Sequence, residues 1–402
     1  MTQPQNQNVP KLRFAGFDKR FENSKLGDIA TFLKGKGISK NDITPGGALP
    51  CIRYGELYTI YNTVIEEPIS RTNIAASELV LSQGDEVLIP ASGEDAKDIA
   101  TAVVVKKSGV ALGGDLNIIR SKNDGAFLAY YLSGRMRMTL AAMAQGNSVV
   151  HLYPAQLKTL EVDLPSIPEQ QKIAGFLIAV DAKIAQILTK KNLLENYKKG
   201  CMQQLFLQKI RFKDENIKSF PDWEEKRLEE VCTVFSGGTP SSKNSDFYNG
   251  EIPFIGSGDI SRSSVEQYIT SAALKSSSAK MVEKGDLLYA LYGATSGEVA
   301  ISQITGAINQ AVLCIRTTQI RTFLHQWLRY SKDSIISTFL QGGQGNLSGK
   351  IVKELKIPLP HPDEQRKIAD FLSALDRKIE LVASELELAK TFKKGLLQQM
   401  FV

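Results

Sequence analysis

The 402-residue chain has few of the residues that build disulfide frameworks and metal centres. Its four cysteines are far apart and form no CxxC pair, and its three histidines show no ligand spacing. A disulfide framework and a structural zinc site are therefore not expected. No run of 18 uncharged apolar residues occurs, and the N-terminus lacks an apolar signal core, so we expect a cytoplasmic protein without a membrane partner.

The sequence also lacks a strong charge bias. Lys and Arg number 49 against 43 Asp and Glu, a net charge of +6. Residues 12–164 carry 17 charges of each sign, and the largest excess, 7−3=+4, falls in 166–210. Composition alone therefore does not reveal a basic DNA-binding face.

Signatures of catalytic sites are incomplete. The run GGQGNLSGK at 342–350 resembles a phosphate loop, but Gln344 replaces a required glycine and Ile351 replaces the magnesium-binding Ser or Thr. A loose PD…(D/E)xK nuclease pattern beginning at Pro362 falls on a predicted helix, where its side chains point in different directions. No adenine-methylation motif and no glycine-rich cofactor fingerprint occur. We therefore expect no catalytic residues, no metal and no cofactor in this chain.

The chain contains an internal repeat of roughly 195 residues. Residues 169–206 match residues 364–401 at 18 of 38 positions. The match extends upstream, where Gln-Gly-Asn at 145–147 faces the same tripeptide at 344–346, with loops of different length between. One unit is therefore used twice.

Each copy combines a globule with a long helix. Short apolar runs between turn signals predict a mixed α+β globule with one amphipathic helix, near 126–144 in the first copy and 322–340 in the second. The predicted segments are a flexible N-terminal tail (1–11), a first globule (12–164), a central helix (165–210), a second globule (211–359) and a C-terminal helix (360–402).

Apolar residues recur on both long helices with the 4,3 spacing of a coiled-coil seam. They are Ile173, Leu177, Val180, Ile184 and Ile187 in the first helix, and Ile368, Leu372, Leu375, Ile379, Val382 and Leu386 in the second. Ser166 and Glu169 have capping-box spacing. The predicted α+β fold is thus two similar mixed α/β domains joined by two long antiparallel helices, a coiled-coil spacer with pseudo-two-fold repeat. The alternative is two helices that each dock on their own globule.

Polar loops at matching places in the two globules are candidates for contact with phosphate oxygens. KGKGISK offers Lys34, Lys36 and Lys40 in the first copy, and SGGTPSSK offers Gly238, Thr239, Ser241 and Lys243 in the second. The alternative is an ordinary solvated turn.

Residues that could read bases lie in and beside the other loops. Asn147 and Asn346, from the repeated tripeptide, could bind an adenine edge, although a shared structural turn is the favoured interpretation. Arg53, Tyr54, Arg262 and Tyr292 flank loops that differ between the copies, so they are candidates for specificity.

A second repeated polar group follows the predicted seam at the end of each long helix. It comprises Lys198, Lys199 and Gln203 in one copy and Lys393, Lys394 and Gln398 in the other. The predicted rod does not require these residues, so they fit two equivalent partner-docking sites. The alternative is a solvated helix end whose cations favour the C-terminal dipole.

The repeat, the loop SGGTPSSKN, the run GAINQAVLCIR at 306–316 and the paired EQ(Q/R)KIA–FL helices together resemble the specificity subunit of type I restriction-modification systems. The resemblance covers about 11–402. It implies that 12–164 and 211–359 are target-recognition domains, each reading half of a bipartite double-stranded DNA target. The first domain departs from the family pattern, with KGKGISK in place of GGTPS.

The resemblance also implies partners and a non-catalytic role. The helices would space the domains and dock two modification (methyltransferase) subunits, and restriction subunits would join to cut DNA. S-adenosylmethionine, ATP and magnesium would then belong to the partner subunits. The alternatives are a stand-alone DNA-binding or coiled-coil scaffold protein, and a nuclease.

Overall fold

A computed structural model describes residues 9–146, 149–339 and 346–402. The chain forms two compact units, Met1–Thr189 with Ser384–Val402, and Lys190–Ala383. The sequence prediction gave each long helix a segment of its own, whereas each unit contains one globular domain and parts of both helices. Of the predicted tail, residues 1–8 lie outside the described part of the chain.

The first domain is built from short strands and mostly short helices. Its strands are β1 (Glu22–Lys25), β2 (Ala30–Lys34), β3 (Leu49–Ile52), β4 (Val64–Ile65), β5 (Ser70–Thr72), β6 (Val80–Leu81), β7 (Glu86–Pro90), β8 (Ser92–Gly93), β9 (Val103–Val105), β10 (Ala111–Leu112), β11 (Leu116–Ser121), β12 (Val150–His151) and β13 (Glu161–Leu164). Its helices are α1 (Leu26–Ile29), α2 (Glu56–Thr59), α3 (Ala96–Ile99), α4 (Gly125–Ser133), α5 (Arg137–Met143), α6 (Pro154–Lys158) and the long α7 (Ile167–Phe206), with 3-10 turns at Lys40–Asp42 and Ala76–Glu78.

The second domain repeats this plan. Its strands are β14 (Glu224–Arg227), β15 (Cys232–Ser236), β16 (Tyr248–Ile255), β17 (Tyr268–Ile269), β18 (Lys280–Val282), β19 (Leu287–Ala290), β20 (Val299–Ile301), β21 (Gly306–Ile308), β22 (Val312–Thr317) and β23 (Lys356–Leu359). Its helices are α8 (Leu228–Val231), α9 (Ser271–Ser276), α10 (Arg321–Phe339), α11 (Gly349–Lys353) and the long α12 (Pro362–Gln399), with 3-10 turns at Ser245–Phe247 and Gly293–Thr295.

The strand order confirms two similar mixed α/β domains. The sheets β2-β11-β7-β9-β4 and β5-β3-β10-β6 of the first domain correspond to β15-β22-β19-β20 and β17-β16-β21-β18 of the second. The first domain adds β4 at one edge and the small pair β12-β8. Its predicted amphipathic helix is interrupted, because α4 ends at Ser133 and α5 begins at Arg137.

The central strand of each main sheet is buried on both faces. In β7, Val87 and Ile89 belong to the core around α4, while Leu88 belongs to a second core shared with β3 and β10. Successive strand residues point to opposite faces, so this arrangement needs a continuous apolar run rather than an alternating one. The run Leu287–Ala290 divides in the same way in the second domain.

An arginine near the start of each domain binds the first turn of the long helix that follows. The Arg13 Nε and Nη2 atoms lie 2.7 and 2.8 Å from the two Glu169 carboxylate oxygens. Arg211 makes the equivalent pair with Glu364, at 3.1 and 2.8 Å. The capping box predicted for Ser166 and Glu169 is therefore wrong, since the Glu169 carboxylate is occupied by Arg13.

Within each unit the two helix segments run antiparallel and share an ion pair. In the first unit Lys393 Nζ lies 2.6 Å from Asp181 Oδ1, and in the second Lys198 Nζ lies 2.5 Å from Asp376 Oδ1. The residues of one pair are those of the other shifted by 195, so the repeat places the same ion pair in both units. Further along the first unit, Lys183 reaches Glu385, which confirms the antiparallel direction.

A neutral donor from each domain completes the site around the aspartate. Tyr130 Oη donates to Asp181 Oδ2 at 2.7 Å, and Gln326 Nε2 donates to Asp376 Oδ2 at 2.6 Å. Burial disfavours the ionised carboxylate of Asp376, but the hydrogen bonds from Lys198 and Gln326 outweigh it and hold its pKa below the ordinary value. Each ion pair therefore ties the helix segments to the domain in that unit.

The predicted seam is only partly correct. Ile173 and Leu177 are buried in the first domain's core, in one cluster with the chain-terminal residues Met400 and Phe401. Ile368 and Leu372 are buried in the equivalent core of the second unit, together with Met202, Leu205 and Phe206 from the end of α7. The helices therefore use the start of the predicted seam for packing on the globules, as the alternative had proposed, while their ends complete the same cores.

We expect the loss of one partner of the Lys198–Asp376 pair to destabilise the fold strongly. Asp376→Ala leaves the Lys198 ammonium, whose side chain is 6% exposed, without its partner and should lower the free energy of unfolding by roughly 3 kcal/mol. Urea denaturation measures this change. The double variant Lys198→Met/Asp376→Leu should recover most of the loss, and Lys199→Ala, at an exposed neighbour, is the control. An Asp376→Ala protein as stable as the unchanged chain would contradict the expectation.

Candidate nucleic-acid interface

In each domain several loops meet around one tight turn between the two main sheets. We call residues 113–115, between β10 and β11, and residues 309–311, between β21 and β22, the central turns. In the first domain Gly113 N donates to Ile52 O at 2.9 Å, and Gly114 N donates to Gly37 O at 2.7 Å. Ala91 N donates to Asp115 O at 2.7 Å, so the loops after β2, β3 and β7 all contact this turn.

The second domain repeats these contacts. Asn309 N donates to Ile255 O at 3.3 Å, and Leu291 N donates to Ala311 O at 2.8 Å. The Thr239 hydroxyl hydrogen-bonds Gln310 Oε1, which joins the predicted SGGTPSSK loop to the central turn. The arrangement gathers side chains from distant parts of the sequence at one end of each domain.

Glycines in the predicted polar loops allow this close approach. A Cβ on Gly35 would lie 1.8 Å from the carbonyl oxygen of Gly113, and a Cβ on Gly237 would lie 1.8 Å from that of Ile308. Gly37 and Ile38 have φ values of 62° and 61°, in the left-handed region that favours glycine. Packing therefore explains why glycines stand at these positions. The lysines and hydroxyls between them remain the candidates for contact with phosphate oxygens.

Five candidate residues of the first domain lie at the end of β2 or in the segments after β2 and β3, whose loops contact the central turn. Lys34, Lys36 and Lys40 are exposed, and Lys34 Nζ lies 5.8 Å from the centre of the Tyr153 ring. Hydrogen bonds from the Ser39 backbone N–H and hydroxyl to Asp42 lower the pKa of this carboxylate, and the same bonds close the turn that carries Lys40. Arg53 and Tyr54, which follow β3, are half-buried, and Tyr54 packs against the second core of the domain.

In the second domain, Thr239, Ser241, Lys243 and Arg262 are exposed, whereas Gly238 is buried beneath its loop. Tyr292 directly follows Leu291, whose carbonyl accepts a 3.0 Å hydrogen bond from Leu347 N. Asn346, which precedes Leu347, is exposed.

Of the predicted DNA-binding residues of this domain, Thr239 bonds the central turn directly, and Tyr292 follows a residue that does.

Only part of the repeated tripeptide lies among the described residues of the first copy, namely Gln145 and Gly146. Gln145 and His151 exchange both backbone hydrogen bonds, at 2.9 and 2.7 Å, which fits the favoured structural interpretation. Asn147 lies outside the described residues, as do Gln344 and Gly345 of the second copy. A base contact by Asn147 or Asn346 stays a prediction.

The structure changes the interpretation of the predicted docking lysines. Lys198 is 5% exposed and Lys393 is half-buried, and both bind aspartates within their own units. The expectation that these two lysines are not required by the helices is therefore wrong, and a solvated helix end does not describe Lys198. The other four residues are exposed, and docking through them stays a prediction; they are Lys199, Gln203, Lys394 and Gln398.

These four residues line two grooves, one in each unit. Lys394 and Gln398 face a groove of about 1000 Å³ that is also lined by Arg135 and Arg137. Lys199 and Gln203 face a groove of about 480 Å³ in the second unit.

Sequence reasoning missed a repeated apolar pair on the exposed side of the long helices. Leu193 and Tyr197 are 64% and 57% exposed, and the residues shifted by 195, Leu388 and Phe392, are 71% and 56% exposed. Each pair is spaced i,i+4, so its two side chains are neighbours on the helix surface. The signal in the sequence is the pair of apolar residues that the repeat places at matching positions outside the predicted seam.

Among residues 9–146, 149–339 and 346–402, no group of three or more His, Cys, Asp or Glu side chains is arranged to hold a metal ion. Within the same part of the chain, no helix has the length and apolar character needed to cross a membrane.

Comparison with known proteins decides the family. The model of the type I restriction modification DNA specificity domain matches residues 18–196 and again residues 221–390. The chain belongs to this family. The match to both halves confirms the resemblance found in the sequence, and DNA sequence recognition is the role of this family.

Relatives and solved structures agree with this family. The chain is 25% identical to the type I restriction enzyme MjaVIII specificity subunit of Methanocaldococcus jannaschii, over 94% of this chain and 91% of the relative. It is 26% identical to the Escherichia coli EcoR124I/EcoR124II specificity subunit, over 54% of this chain and 56% of the relative.

The fold is similar to the crystal structure of a type I system S subunit from M. genitalium. The TM-score is 0.65 at 18% identity, covering 98% of this chain and 99% of that one. A second structure, from work on complex assembly and conformational transition of the type I R-M system, gives a TM-score of 0.57 at 17% identity, covering 96% and 98%.

We expect the glycine loop of the second domain not to tolerate a side chain at Gly237. In Gly237→Ala the new methyl group would collide with the Ile308 backbone, so the loop must move, at a cost of roughly 1–3 kcal/mol in folding free energy. Chemical denaturation measures this loss. Gly258→Ala is the matched control, because no atom lies within 4 Å of its added methyl group. Equal stability of the two variants would show that the loop does not need its close approach to Ile308.

Proposed function

We propose that the chain is the DNA sequence-specificity subunit of a type I restriction-modification complex, and that each domain reads one half of a bipartite target. The observation that carries this proposal is the pair of central turns. Both domains gather loops around the same turn, yet they present different side chains there, such as Lys34 and Lys36 in one and Thr239 and Ser241 in the other. A common scaffold with different side chains suits two different half-sequences.

The loop residues divide by chemistry into two roles. Exposed lysines and hydroxyls next to backbone N–H groups favour phosphate contacts, which hold the DNA without reading it. Arg53, Tyr54, Arg262 and Tyr292 have the planar or aromatic groups that contact base edges and sugars. Nearly balanced charge over 12–164 is compatible with this division, because the cations of the loops lie at one end of the domain.

We also propose that the chain does not catalyse methylation or cleavage. Its partners would be modification subunits, which would hold S-adenosylmethionine, and restriction subunits, which would use ATP and magnesium. A subunit whose partners supply the reacting groups needs only DNA contacts and docking surfaces.

The duplicated apolar pairs support two equivalent docking sites. Leu193 with Tyr197, and Leu388 with Phe392, lie at positions related by the repeat, one pair in each unit. Exposed aromatic and aliphatic side chains of this size cost free energy in water and commonly mark interfaces. The exposed Lys199 and Lys394 extend each surface with a cation at a related position. Two sites of the same chemistry fit two copies of one modification subunit.

Exchange of one domain tests the assignment of half-targets. Replacing residues 12–164 with the corresponding segment of another family member should change one half of the methylated sequence and leave the other half unchanged, because each domain has its own central turn and core. Methylome sequencing of a host that expresses the variant with its modification subunit provides the measurement. The reciprocal exchange of residues 211–359 is the control and should change the other half. A simultaneous change of both halves would refute independent reading.

Substitution of the apolar pairs tests the docking sites. Tyr197→Asp should remove one of two modification subunits from the complex, and Tyr197→Asp with Phe392→Asp should remove both. These side chains are more than half exposed, so the melting temperature should stay nearly unchanged. Mass measurement of the purified complex gives the stoichiometry.

Lys199→Glu with Lys394→Glu is a separate test of the cationic part of the surface. It leaves the structural lysines Lys198 and Lys393 unchanged. An unchanged complex in the double aspartate variant would exclude the apolar pairs from the interface. An unchanged complex in the double glutamate variant would exclude the two lysines.

A further inference from the structure

Each domain closes the loop after an equivalent strand around an acidic side chain. In the first domain Arg53 N donates to Glu56 Oε2 at 3.1 Å, and in the second Gly256 N donates to Asp259 Oδ2 at 3.3 Å. Both loops follow the strand that pairs in parallel with the strand before the central turn, β3 with β10 and β16 with β21. Glu56 and Asp259 therefore occupy equivalent places, although the repeat does not align them as identical residues.

Each of these carboxylates also binds an arginine. Arg53 Nε and Nη2 lie 3.1 and 3.0 Å from Glu56 Oε1, while Arg262 Nη1 lies 3.4 Å from Asp259 Oδ1. Arg53 stands three residues before its acid and Arg262 three residues after. In both domains, therefore, an acid at the same place in the fold holds a guanidinium. The arginine comes before the acid in the first domain and after it in the second.

The two acid–arginine pairs differ in burial, so Glu56 fixes its arginine more strongly than Asp259 does. The Glu56 side chain is 3% exposed and accepts a further 2.7 Å hydrogen bond from Ser70 Oγ, so its oxygens have one orientation. Asp259 is 28% exposed and Arg262 is 57% exposed, and ion pairs in such surroundings are weak. Arg53 is 26% exposed, so its guanidinium is oriented by a buried acid while part of the side chain remains accessible.

The guanidinium of Arg53 has N–H donors that its contacts with Glu56 do not use. Arginine carries five N–H donors, and the contacts with Glu56 occupy two of them, on Nε and Nη2. Those on Nη1 and the second on Nη2 form the fork that matches the O6 and N7 acceptors of guanine. The loop also begins beside Gly113, because a Cβ on that glycine would lie 3.6 Å from Arg53 Cα, so the arginine belongs to the interface around the central turn.

We propose that Arg53 reads a guanine in the half-target of the first domain, and that Glu56 and Ser70 are positioning residues for its guanidinium. Arg262, held by Asp259, contributes weaker discrimination in the other half. This inference rests on the proposed function. It adds the base that is read, the atoms that read it and the residues that orient them.

The experiment uses the full chain in complex with its modification subunit and measures binding to a library in which each target position is varied. Arg53→Lys keeps the positive charge but loses the fork. We expect it to reduce the preference for guanine at one position by roughly 5- to 150-fold, with little change in total affinity or in the other half. Glu56→Gln, which keeps an acceptor but not the charge, should reduce the guanine preference at the same position less than Arg53→Lys does. Glu56→Asp should retain more of this preference than Glu56→Gln.

The control is a second arginine of the same domain with an almost identical setting. Arg120 is 23% exposed and binds Glu86, whose side chain is 2% exposed, but it lies towards the other end of β11. Arg120→Lys should leave every base preference unchanged, even if the melting temperature falls. An Arg53→Lys complex with unchanged preference at all positions would overturn the proposal and make Arg53 a structural residue, as would a uniform loss over both halves. Absence of sequence-selective binding by the unchanged complex would instead refute the proposed function.

Discussion

The lysine–aspartate pair that joins the two helix segments in each unit is the contact on which the rest of the structure depends. A lysine that is almost fully buried needs a partner, and Asp376 provides it for Lys198 within hydrogen-bond distance. The geometry of that pair sets the register of the antiparallel segments. Once the register is set, the end of one helix enters the core next to the start of the other, where Met202 and Phe206 lie in one cluster with Ile368.

The same constraint explains why the repeat is strongest on the helices. The first glutamate of each helix binds an arginine near the start of its domain. The glutamine after it binds the preceding loop and a second segment of the domain, as Gln170 does with Pro165 and with Asp124 at the start of α4. A substitution at any of these positions would leave a buried polar group without its partner. The exposed side chains of the loops around the central turns, such as Lys36 and Ser241, have no such obligation, and they differ between the domains.

This division separates the support of the interface from its specificity. Close backbone contacts at Gly35 and Gly237 hold the loops against the central turns, and they involve no exposed side chain. The acids at 56 and 259 then orient arginines that arrive from opposite sides. Fixed backbone and orienting carboxylates lower the entropy that a DNA-reading side chain must lose on binding, so the same fold accommodates different recognition groups.

The sequence by itself determined the repeat, the mixed α/β character of both domains and the family, because each depends on residue identity at regular spacing. Some of the short strands in both domains also followed from local apolar runs. Only the tertiary structure decided whether the apolar stripe of each long helix packs against the sister helix or against a globular core, because a 4,3 stripe suits both. It also decided the roles of Lys198 and Lys393, whose charge suggested solvent exposure until the opposing aspartates were located. The tertiary structure also decided the place of Arg53, since only the folded chain shows that Glu56 is buried and that its partner Arg53 lies beside the central turn.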